Sequence, residues 1–576
     1  MRLPRMRPKA REYFRKTVLI LFVLASLQLL ITLVFGGYDI TIGRFHISSH
    51  RPGNIFLIQI ILAIVLKVSF SRKAGVPTQQ TDIRLSFSMR KERRFILVAF
   101  IMIVILSGAA YRQVLPAFFV SDDFEYLHAF DQAKSLHPDI LFGYLKAFGL
   151  LRPLPILSLY ADFKIWHLNP LGYHVTSFVL HALNACLFLL LLLLLTKDKI
   201  FSCCGALLFS VYPVHPEAVA WISGRFDVLC ATFYLLAVFL FVVSSAKSQR
   251  FHHLDVMSLL SFLFALLSKE MAFSLPLVLI LIEAVFRPDA GPRSWKDRFR
   301  RHAPFWLVGV TYLAFRLIWL KGVGGYVHSQ GGAFFKGLNV FDVRNLLLGP
   351  FPPLFLPFNS ALYSHAAFLR NALLIVLSFA ILFIPFRKRL NFPVMMFGLF
   401  VIILTVWPTL RIFFITPTLE GARFLYLPSL GASIILAALL TDQNGRGSPK
   451  KIYVVFPIIL FFFFLMRNNV AWNYASKVSD RMLRQALTVL NEFEIKEMVY
   501  VVGLPDNYKG AYIFRNGFSS AVDLLGGRKS RPLIDVKNVF PAELKPNSKY
   551  LILEWGEDRF QLRRVASDEL LSRMKK

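Results

Sequence analysis

The chain has 576 residues, of which 56% are hydrophobic and only 17% are charged, and its formal net charge is +32. About a quarter of the residues in soluble domains are charged. This composition therefore excludes a soluble globular protein, a disordered chain and a fibrous one. The four cysteines lie in apolar segments and form no Cys-x-x-Cys pair, so neither a disulfide framework nor a zinc site is predicted.

Long apolar segments follow one another along most of the chain. A membrane span needs about 20 apolar residues, and about thirteen segments approach that length. They predict an all-α polytopic membrane protein, with a small soluble α/β domain at the C-terminal end. The predicted spans are 17–36, 54–70, 95–111, 173–195, 200–213, 226–245, 254–268, 272–286, 305–320, 367–385, 392–407, 425–441 and 452–467.

The distribution of basic residues predicts the orientation. A basic stretch precedes the first span, which is too long for a signal peptide and has no obvious cleavage site, so we predict an uncleaved anchor. With the N-terminus in the cytoplasm, Lys and Arg concentrate in the loops predicted to lie inside, such as 71–94 and 287–304. This bias accounts for the positive charge without a nucleic-acid partner, and it places the region after about 468 outside the cytoplasm.

The chain divides into three predicted regions. Residues 1–94 hold two spans and a basic cytoplasmic loop, and residues 95–467 hold the remaining spans with two long external loops, 112–172 and 321–366. Residues 468–576 begin with a helical pattern over Asn469–Glu494. Strand patterns follow at 498–502 and 550–555, which predicts the small extracytoplasmic α/β domain.

Four polar motifs lie where spans meet the predicted outer face. Each alone has an ordinary explanation, because an acidic pair often caps a helix and neighbouring opposite charges often form an ion pair. All four fall on one face, however, and charges near lipid are costly, so a functional site is expected there. The motifs are Ser121-Asp122-Asp123-Phe124, the stretch from Tyr212 to Asp227 with His215, Glu217 and Arg225, Ser268-Lys269-Glu270, and the stretch from Glu420 to Ser429 with Arg423 and Tyr426.

These residue types suit group transfer from a lipid phosphate. Adjacent carboxylates can supply a general base for an acceptor hydroxyl. The cations Arg225, Lys269 and Arg423 can hold an anionic leaving group through charge-assisted hydrogen bonds. An outward-facing base and phosphate clamp indicate a polyprenyl-phosphate donor.

Longer motifs carry a resemblance to a known family. The Asp122-Asp123 motif after an early span resembles the acidic first-loop motif of GT-C glycosyltransferases. The stretches Leu168–Asn184, Tyr212–Arg225, Ser268–Met271 and Arg423–Ser429 together resemble the membrane part of the TMTC-like proteins, which are relatives of protein O-mannosyltransferases. The resemblance covers about 95–440.

The resemblance implies a GT-C fold, a lipid-linked sugar donor and inverting transfer of hexosyl or mannosyl type, with a first-loop aspartate as base. TMTC-like proteins carry tetratricopeptide repeats after the membrane part, whereas this chain has about 110 non-repeat residues there, so a protein hydroxyl, a glycan and a lipid all stay open as acceptor. Carried over, Asp122 or Asp123 is the base, Arg225, Lys269 and Arg423 bind the donor phosphate, and His215, Glu217, Asp227, Glu270 and Tyr426 shape the site.

Two other functions stay open at this point. A transporter or flippase of lipid-linked sugars would place charges near the bilayer midplane, and a non-catalytic glycan-assembly factor would keep the fold alone. No metal ligand set is predicted, although Asp122-Asp123 with His215 and Glu217 leaves a divalent cation as an alternative. The expected location is a bacterial inner membrane, with membrane lipids, a sugar donor and an external acceptor as partners and no nucleic acid.

Overall fold

A computed structural model describes most of the chain after residue 88. The described residues are 38–42, 45–49, 89–133, 149–247, 253–286, 295–320, 349–364, 391–409, 415–441, 452–493, 497–526, 533–536, 547–556 and 558–574. Residues 1–86 with 337–344 form one compact unit and the rest of the chain forms another. The first unit contains an antiparallel pair, β1 (Tyr38–Ile42) and β2 (Phe45–Ser49).

The second unit is built mainly of α-helices. In chain order these are α1 (Met89–Tyr111), α2 (Asp123–Gln132), α3 (Pro153–Trp166), α4 (Pro170–Thr196), α5 (Lys199–Ser210), α6 (Pro216–Val219), α7 (Arg225–Lys247), α8 (His253–Ser268), α9 (Leu275–Phe286), α10 (Trp295–Leu320), α11 (Phe351–Phe355), α12 (Phe392–Val406), α13 (Pro428–Leu440), α14 (Ile452–Asn491), α15 (Phe518–Leu525) and α16 (Ser567–Met574).

The helical membrane fold predicted from the apolar segments is confirmed. Every predicted span that falls on described residues forms helix, whereas the predicted spans 17–36, 54–70 and 367–385 lie outside the described residues. Six of the described helices are long and apolar enough to cross a membrane, and α5, α8 and α13 are shorter apolar helices. The chain is an integral membrane protein.

Local sequence signals set several helix ends. Asn169 accepts a hydrogen bond from the Leu171 amide at 3.2 Å, and Pro170 occupies the first turn of α4, where its missing N–H costs nothing. Asp198 caps α5 in the same way, through the amides of Ile200 and Phe201. Asn169 thus marks the turn between α3 and α4, and Asp198 marks the turn between α4 and α5.

Glycines allow α12 and α13 to cross closely. A Cβ atom at Gly398 would lie 2.6 Å from the Gly431 carbonyl oxygen, and one at Gly431 would lie 2.3 Å from the Gly398 oxygen. Small residues at such crossings are typical of membrane helices, because helix association there depends on close packing. A side chain at either position would push apart the helices that support the third and fourth motifs.

The C-terminal part folds as the predicted mixture of helix and sheet. Its four-stranded sheet has the order β6 (Leu533–Asp535), β3 (Val499–Val502), β7 (Lys549–Gly556), β8 (Arg559–Ala566). β3 pairs in parallel with β6 and β7, and β8 pairs antiparallel with β7. A short antiparallel pair, β4 (Asn507–Tyr508) and β5 (Ala511–Tyr512), forms a separate two-stranded sheet that contacts α14.

One helix crosses the predicted boundary at residue 468. α14 runs unbroken from Ile452 to Asn491, and it contacts β4, β5 and α15 as well as α1 and α5. One buried hydrophobic core includes residues of the membrane helices and of the C-terminal part, such as Leu465 and Phe514. The division into regions 1–94, 95–467 and 468–576 stays a prediction, and the described parts of the last two are packed together.

Candidate functional site

A pocket of about 460 Å³, open to the surface, lies where the four predicted motifs meet. Its lining includes Asp122 of the first motif, Asp227 of the second, Lys269 of the third and Arg423 of the fourth. Side chains far apart in the sequence are therefore brought together at one place. The polar and charged residues that line it are Asp122, Arg152, Ser223, Asp227, Lys269 and Arg423.

Arg423 is held in the pocket by a buried carboxylate. Its guanidinium forms an ion pair with Glu217, and its backbone amide donates to the other oxygen of Glu217 at 3.2 Å. The same guanidinium donates to the hydroxyl of Tyr512 at 3.2 Å and lies over the rings of Trp221 and Phe424, each 5.2 Å away. Burial raises the pKa of Glu217, and the charge of Arg423 opposes that rise.

Lys269 has a similar arrangement. Its Nζ atom lies 2.6 Å from both carboxylate oxygens of Asp227 and 4.6 Å from the centre of the Phe424 ring. An ammonium group has three N–H donors, so one is left after the two bonds to Asp227. Burial lowers the pKa of Lys269, and Asp227 opposes that shift by favouring the charged form.

Arg152 is a third cation in the pocket, and the sequence analysis did not identify it. Its Nη2 atom lies 2.7 Å from Glu270, which also pairs with Arg316 at 2.8 Å. Burial alone would raise the pKa of Glu270, but the two arginines hold it well below its usual range. The available signal was a basic residue directly before Pro153 on the predicted outer face, where basic residues are scarce.

These three cations share one design. Each is oriented by a carboxylate that lies beside the pocket or behind it, and each lies over at least one aromatic ring, with Arg152 6.0 Å from the Phe226 ring centre. Side chains whose orientation is fixed in advance can bind an anion without losing rotamer entropy on binding. The arrangement suits a phosphate-sized anion.

Asp122 is the carboxylate of the first motif that lines this pocket. Its Oδ1 atom accepts from Asn516 at 2.9 Å and from the Ser121 hydroxyl at 3.2 Å. Its Oδ2 atom has no hydrogen-bond partner among the described residues. Ser121 has a φ of 49°, a left-handed conformation that non-glycine residues adopt at a cost in energy.

Asp123 points away from the open pocket. Its side chain is buried and accepts from the Val120 amide at 3.0 Å, the Ser223 amide at 2.9 Å and the Ser223 hydroxyl at 2.5 Å. It borders a separate, largely apolar cavity of about 190 Å³. These bonds tie the start of α2 to the turn before α7, which is a structural role.

The buried position of Asp123 predicts a pH dependence of stability. Burial raises its pKa from 3.8 to about 7, although the bonds from Ser223 and Val120 lower it. The unfolded chain loses this proton near pH 4, so the stabilisation is complete below pH 4 and is lost as the pH rises towards 7. The loss is at most about 4 kcal/mol.

We expect this dependence to be missing in Asp123→Asn, which has no titrating group. The difference in unfolding temperature, wild type minus variant, should fall between pH 4 and pH 7 in detergent and stay level above it. A difference that is constant or rises with pH over that range would contradict the raised pKa.

Arg225, predicted to bind phosphate, lies outside the pocket. It is completely buried, pairs with Asp162 at 2.5 Å, and donates to the Tyr173 carbonyl at 2.7 Å and to the Ser177 hydroxyl at 3.2 Å. Its guanidinium thus holds together α3, α4 and α7. The sequence places it beside Asp227, but the first turn of α7 directs the two side chains to different partners.

His215 and Tyr426, predicted to shape the site, lie in a buried network behind it. His215 bonds to the Ser429 hydroxyl at 2.8 Å, and Tyr426 bonds to His181 at 2.7 Å and to Asn184 at 3.1 Å. The rings of His215 and Tyr426 are 4.6 Å apart. Neither lines the open pocket, so they support the turn that carries Arg423. Within the described ranges, no three His, Cys, Asp or Glu side chains are grouped as metal ligands.

The pair of Lys269 and Asp227 gives a test of how the pocket is built. Both side chains are 2% exposed, so Lys269→Met leaves a buried carboxylate without a partner, at a cost of about 3–5 kcal/mol. We expect a large drop in the unfolding temperature. In Lys269→Met with Asp227→Leu, stability should largely return because no charge is buried alone. A single variant as stable as the wild type would contradict the buried ion pair.

The chain is similar to curated mannosyltransferases over part of its length, and no protein-family model matches it. It is 32% identical to mouse protein O-mannosyl-transferase TMTC3 over 149 residues, which cover 24% of this chain and 16% of that protein. It is 37% identical to human TMTC2 over 91 residues, or 16% and 11% of the two chains. For Drosophila Tmtc1 the identity is 33% over 132 residues, or 22% and 14%.

These matches confirm the resemblance to TMTC proteins, and the matched segments cover less than a fifth of those relatives' length. Among solved structures, ArnT from Cupriavidus metallidurans bound to undecaprenyl phosphate matches with a TM-score of 0.39 and 11% identity, over 80% of this chain and 92% of that chain. Its apo form gives the same TM-score at 12% identity. A likeness at this level assigns no residue role.

Proposed function

We propose that this protein is a membrane glycosyltransferase that moves a sugar, of hexosyl or mannosyl type, from a polyprenyl-phosphate carrier to an acceptor outside the cytoplasm. The observation that carries the proposal is the shared pocket, in which Asp122 and the cations Arg152, Lys269 and Arg423 line one space. The names of the TMTC relatives support the transfer chemistry. The basic bias of the predicted inner loops supports an outward-facing pocket.

The proposed reaction uses a carboxylate as the base and the three cations to stabilise the leaving phosphate. Asp122 takes the proton from an acceptor hydroxyl, and the oxygen attacks the anomeric carbon of the sugar as the bond to the phosphate oxygen breaks. The bonding electrons leave with the polyprenyl phosphate, which gains one negative charge. Arg152, Lys269 and Arg423 stabilise that charge where it develops. Attack from the face opposite the leaving group inverts the anomeric centre.

The carboxylates behind the cations determine how strongly those cations bind a phosphate. Glu217 and Asp227 each lie beside one cation, and Glu270 lies between Arg152 and Arg316, so most of the positive charge of the three cations is neutralised before the donor binds. The pocket therefore binds the donor phosphate through directed N–H donors more than through an excess of positive charge. Release of the more highly charged carrier phosphate after transfer is easier from such a balanced pocket than from an unpaired cationic one.

The acceptor is a hydroxyl of a protein, a glycan or a lipid on the outer side of the membrane. The names of the relatives favour a protein hydroxyl. A bacterial inner membrane, with the N-terminus in the cytoplasm and the C-terminal part in the periplasm, is the setting that we propose for the chain.

The test is donor cleavage by the purified protein in detergent, with radiolabelled short-chain polyprenyl-phosphate sugars that differ in the sugar. We expect turnover of at least one donor and release of polyprenyl phosphate. The sugar accepted then identifies the donor class. If the folded protein binds polyprenyl phosphate but cleaves no donor, with or without added divalent cation, a carrier or an assembly factor replaces the enzyme.

A further inference from the structure

A segment of the C-terminal part reaches into the pocket region. Residues 511–517, here called the docking segment, lie between β4 and α15. The carbonyl of Ile513 accepts from the Ser121 amide at 2.8 Å, and Phe514 stacks on Phe124 with ring centres 6.0 Å apart. A Cβ atom at Gly517, whose φ is +82°, would lie 2.4 Å from the Ser121 carbonyl oxygen. The segment thus clamps the strained turn that carries Asp122.

The docking segment also contacts the turn that carries Arg423. Arg515 pairs with Glu420 at 2.5 Å and lies over the Tyr512 ring at 4.4 Å. Just before the segment, a Cβ atom at Gly510 would lie 2.4 Å from the Thr418 carbonyl oxygen. Backbone approach this close on both sides of the pocket leaves the segment little freedom to move independently of it.

Two side chains of the segment contact the groups proposed for chemistry. Asn516 donates from Nδ2 to Oδ1 of Asp122 at 2.9 Å. The hydroxyl of Tyr512 lies 3.1 Å from Glu217 and 3.2 Å from Arg423, so it bridges the cation and the carboxylate that orients it. Neither Asn516 nor Tyr512 lines the pocket itself, so both act through another residue.

We propose that the docking segment is a positioning element of the transfer site, in which Asn516 orients the Asp122 carboxylate and Tyr512 orients Arg423. The proposal rests on the function proposed above and adds the C-terminal part to the catalytic unit. With Oδ1 held by Asn516 and Ser121, the other oxygen of Asp122 is left for the acceptor proton. Nη1 of Arg423 is held by Glu217 and Tyr512, which fixes the orientation of the guanidinium at the pocket.

Each contact predicts a different kinetic change. The Asn516 amide bonds to the charged form of a carboxylate, and loss of such a bond favours protonation. In Asn516→Ala the acid limb of the pH–rate profile should move to higher pH, with the KM for the donor little changed. The other titratable groups that line or border the pocket are Asp123, Tyr126, Arg152, Glu217, Asp227, Lys269, Glu270, Arg423 and Tyr512.

Tyr512→Phe should act on the donor instead. Loss of the hydroxyl removes a hydrogen bond to a charged group, so the KM for the polyprenyl-phosphate sugar should rise about tenfold. The acid limb of the profile should stay within a few tenths of a unit of the wild type. If the two side chains position two different groups, each variant changes only one of these two quantities, the donor KM or the acid limb. General loosening of the docking segment would change both quantities in both variants.

Two matched controls come from the same part of the chain. Tyr508→Phe makes the identical chemical change on a ring that stacks on Tyr474 at 4.0 Å, outside the pocket. Ser519→Ala removes a hydroxyl in α15 that donates to the Leu533 carbonyl. Both should keep the wild-type KM and pH profile. Asn516→Asp keeps the size of the side chain and places a like charge beside Asp122, so it should shift the acid limb further in the same direction.

The experiment uses the full-length protein, purified in detergent and checked by thermal unfolding, with the donor that the wild type cleaves. The proposal is overturned if Asn516→Ala, Asn516→Asp and Tyr512→Phe match the controls in KM and pH profile. It is also overturned if all three change both parameters alike. If the wild type cleaves no donor, the proposed function fails, and this inference fails with it.

Discussion

Asp122→Asn is expected to reduce donor turnover by at least about 100-fold while leaving donor binding intact. A general base accelerates proton transfer by about 10²–10⁴-fold, and an amide cannot accept the proton. Asp122 lines the pocket and is partly exposed, and one of its carboxylate oxygens is engaged by Asn516 and Ser121. The side chain is almost unchanged in size, so the fold should be retained. The measurement is single-turnover cleavage of labelled donor beside equilibrium binding of polyprenyl phosphate.

Asp131→Asn is the matched control for this substitution. Asp131 lies in α2, the helix that begins directly after Asp122, and is exposed, so the variant loses one carboxylate without changing the pocket. It should cleave donor at the wild-type rate. Full activity in Asp122→Asn, or an equal loss in both variants, would remove Asp122 from the role of base.

Arg423→Ala is expected to lower kcat/KM for the donor by about 10²–10³-fold. A preorganised donor to a developing negative charge contributes about 3–4 kcal/mol to transition-state stabilisation. Arg423 is the phosphate-clamp cation with the largest described set of orienting contacts, from Glu217, Tyr512 and two aromatic rings. Arg423→Lys should fall between the wild type and alanine, because it keeps the charge but loses the planar fork.

Removal of Arg423 also leaves Glu217 buried without its partner. Glu217→Gln in the same chain removes that charge, so the double variant Arg423→Ala with Glu217→Gln separates loss of stability from loss of chemistry. We expect it to regain unfolding temperature but not activity. Arg467→Ala is the control, since Arg467 donates to the Leu362 carbonyl at 3.0 Å and does not line the pocket. Recovered turnover in the double variant would show that Arg423 has a structural role alone.

The helices were predictable because the membrane imposes a length and an apolar composition on every span. Apolar runs alone predicted the positions of α4, α7 and the first part of α14. The caps Asn169 and Asp198 are of residue types that commonly precede a helix. The unbroken course of α14 across residue 468 was not predicted. Its polar second half was interpreted as a separate helix. The local sequence pattern does not show that the helix continues past residue 468.

The site was predictable only as a set of motifs. That they share one face followed from alternation of the spans, but the direction of each side chain did not. Asp122 and Asp123 are neighbours in the sequence, and the left-handed turn at Ser121 directs one to the pocket and the other to Ser223. Arg225 is buried against Asp162 for a similar reason, since the start of α7 directs it between helices.

Two contributions to the site depend on tertiary contacts alone. Arg152 is one of several basic residues in the predicted loop 112–172, and its role depends on Glu270, which is 118 residues away in the sequence. Asn516 lies 394 residues from Asp122, in a region that the sequence analysis treated as a separate domain. Neither pairing has a local signal, because neither residue belongs to a motif.

The proposed function requires that the pocket between Asp122 and the three cations binds a lipid phosphate. The most direct test is a cryo-electron microscopy structure of the purified protein with a short-chain polyprenyl phosphate. We predict phosphate density within about 3 Å of the side-chain nitrogens of Arg152 and Arg423, in the pocket that Asp122 lines. Ordered phosphate at another surface, with no lipid density in the pocket, would contradict the account.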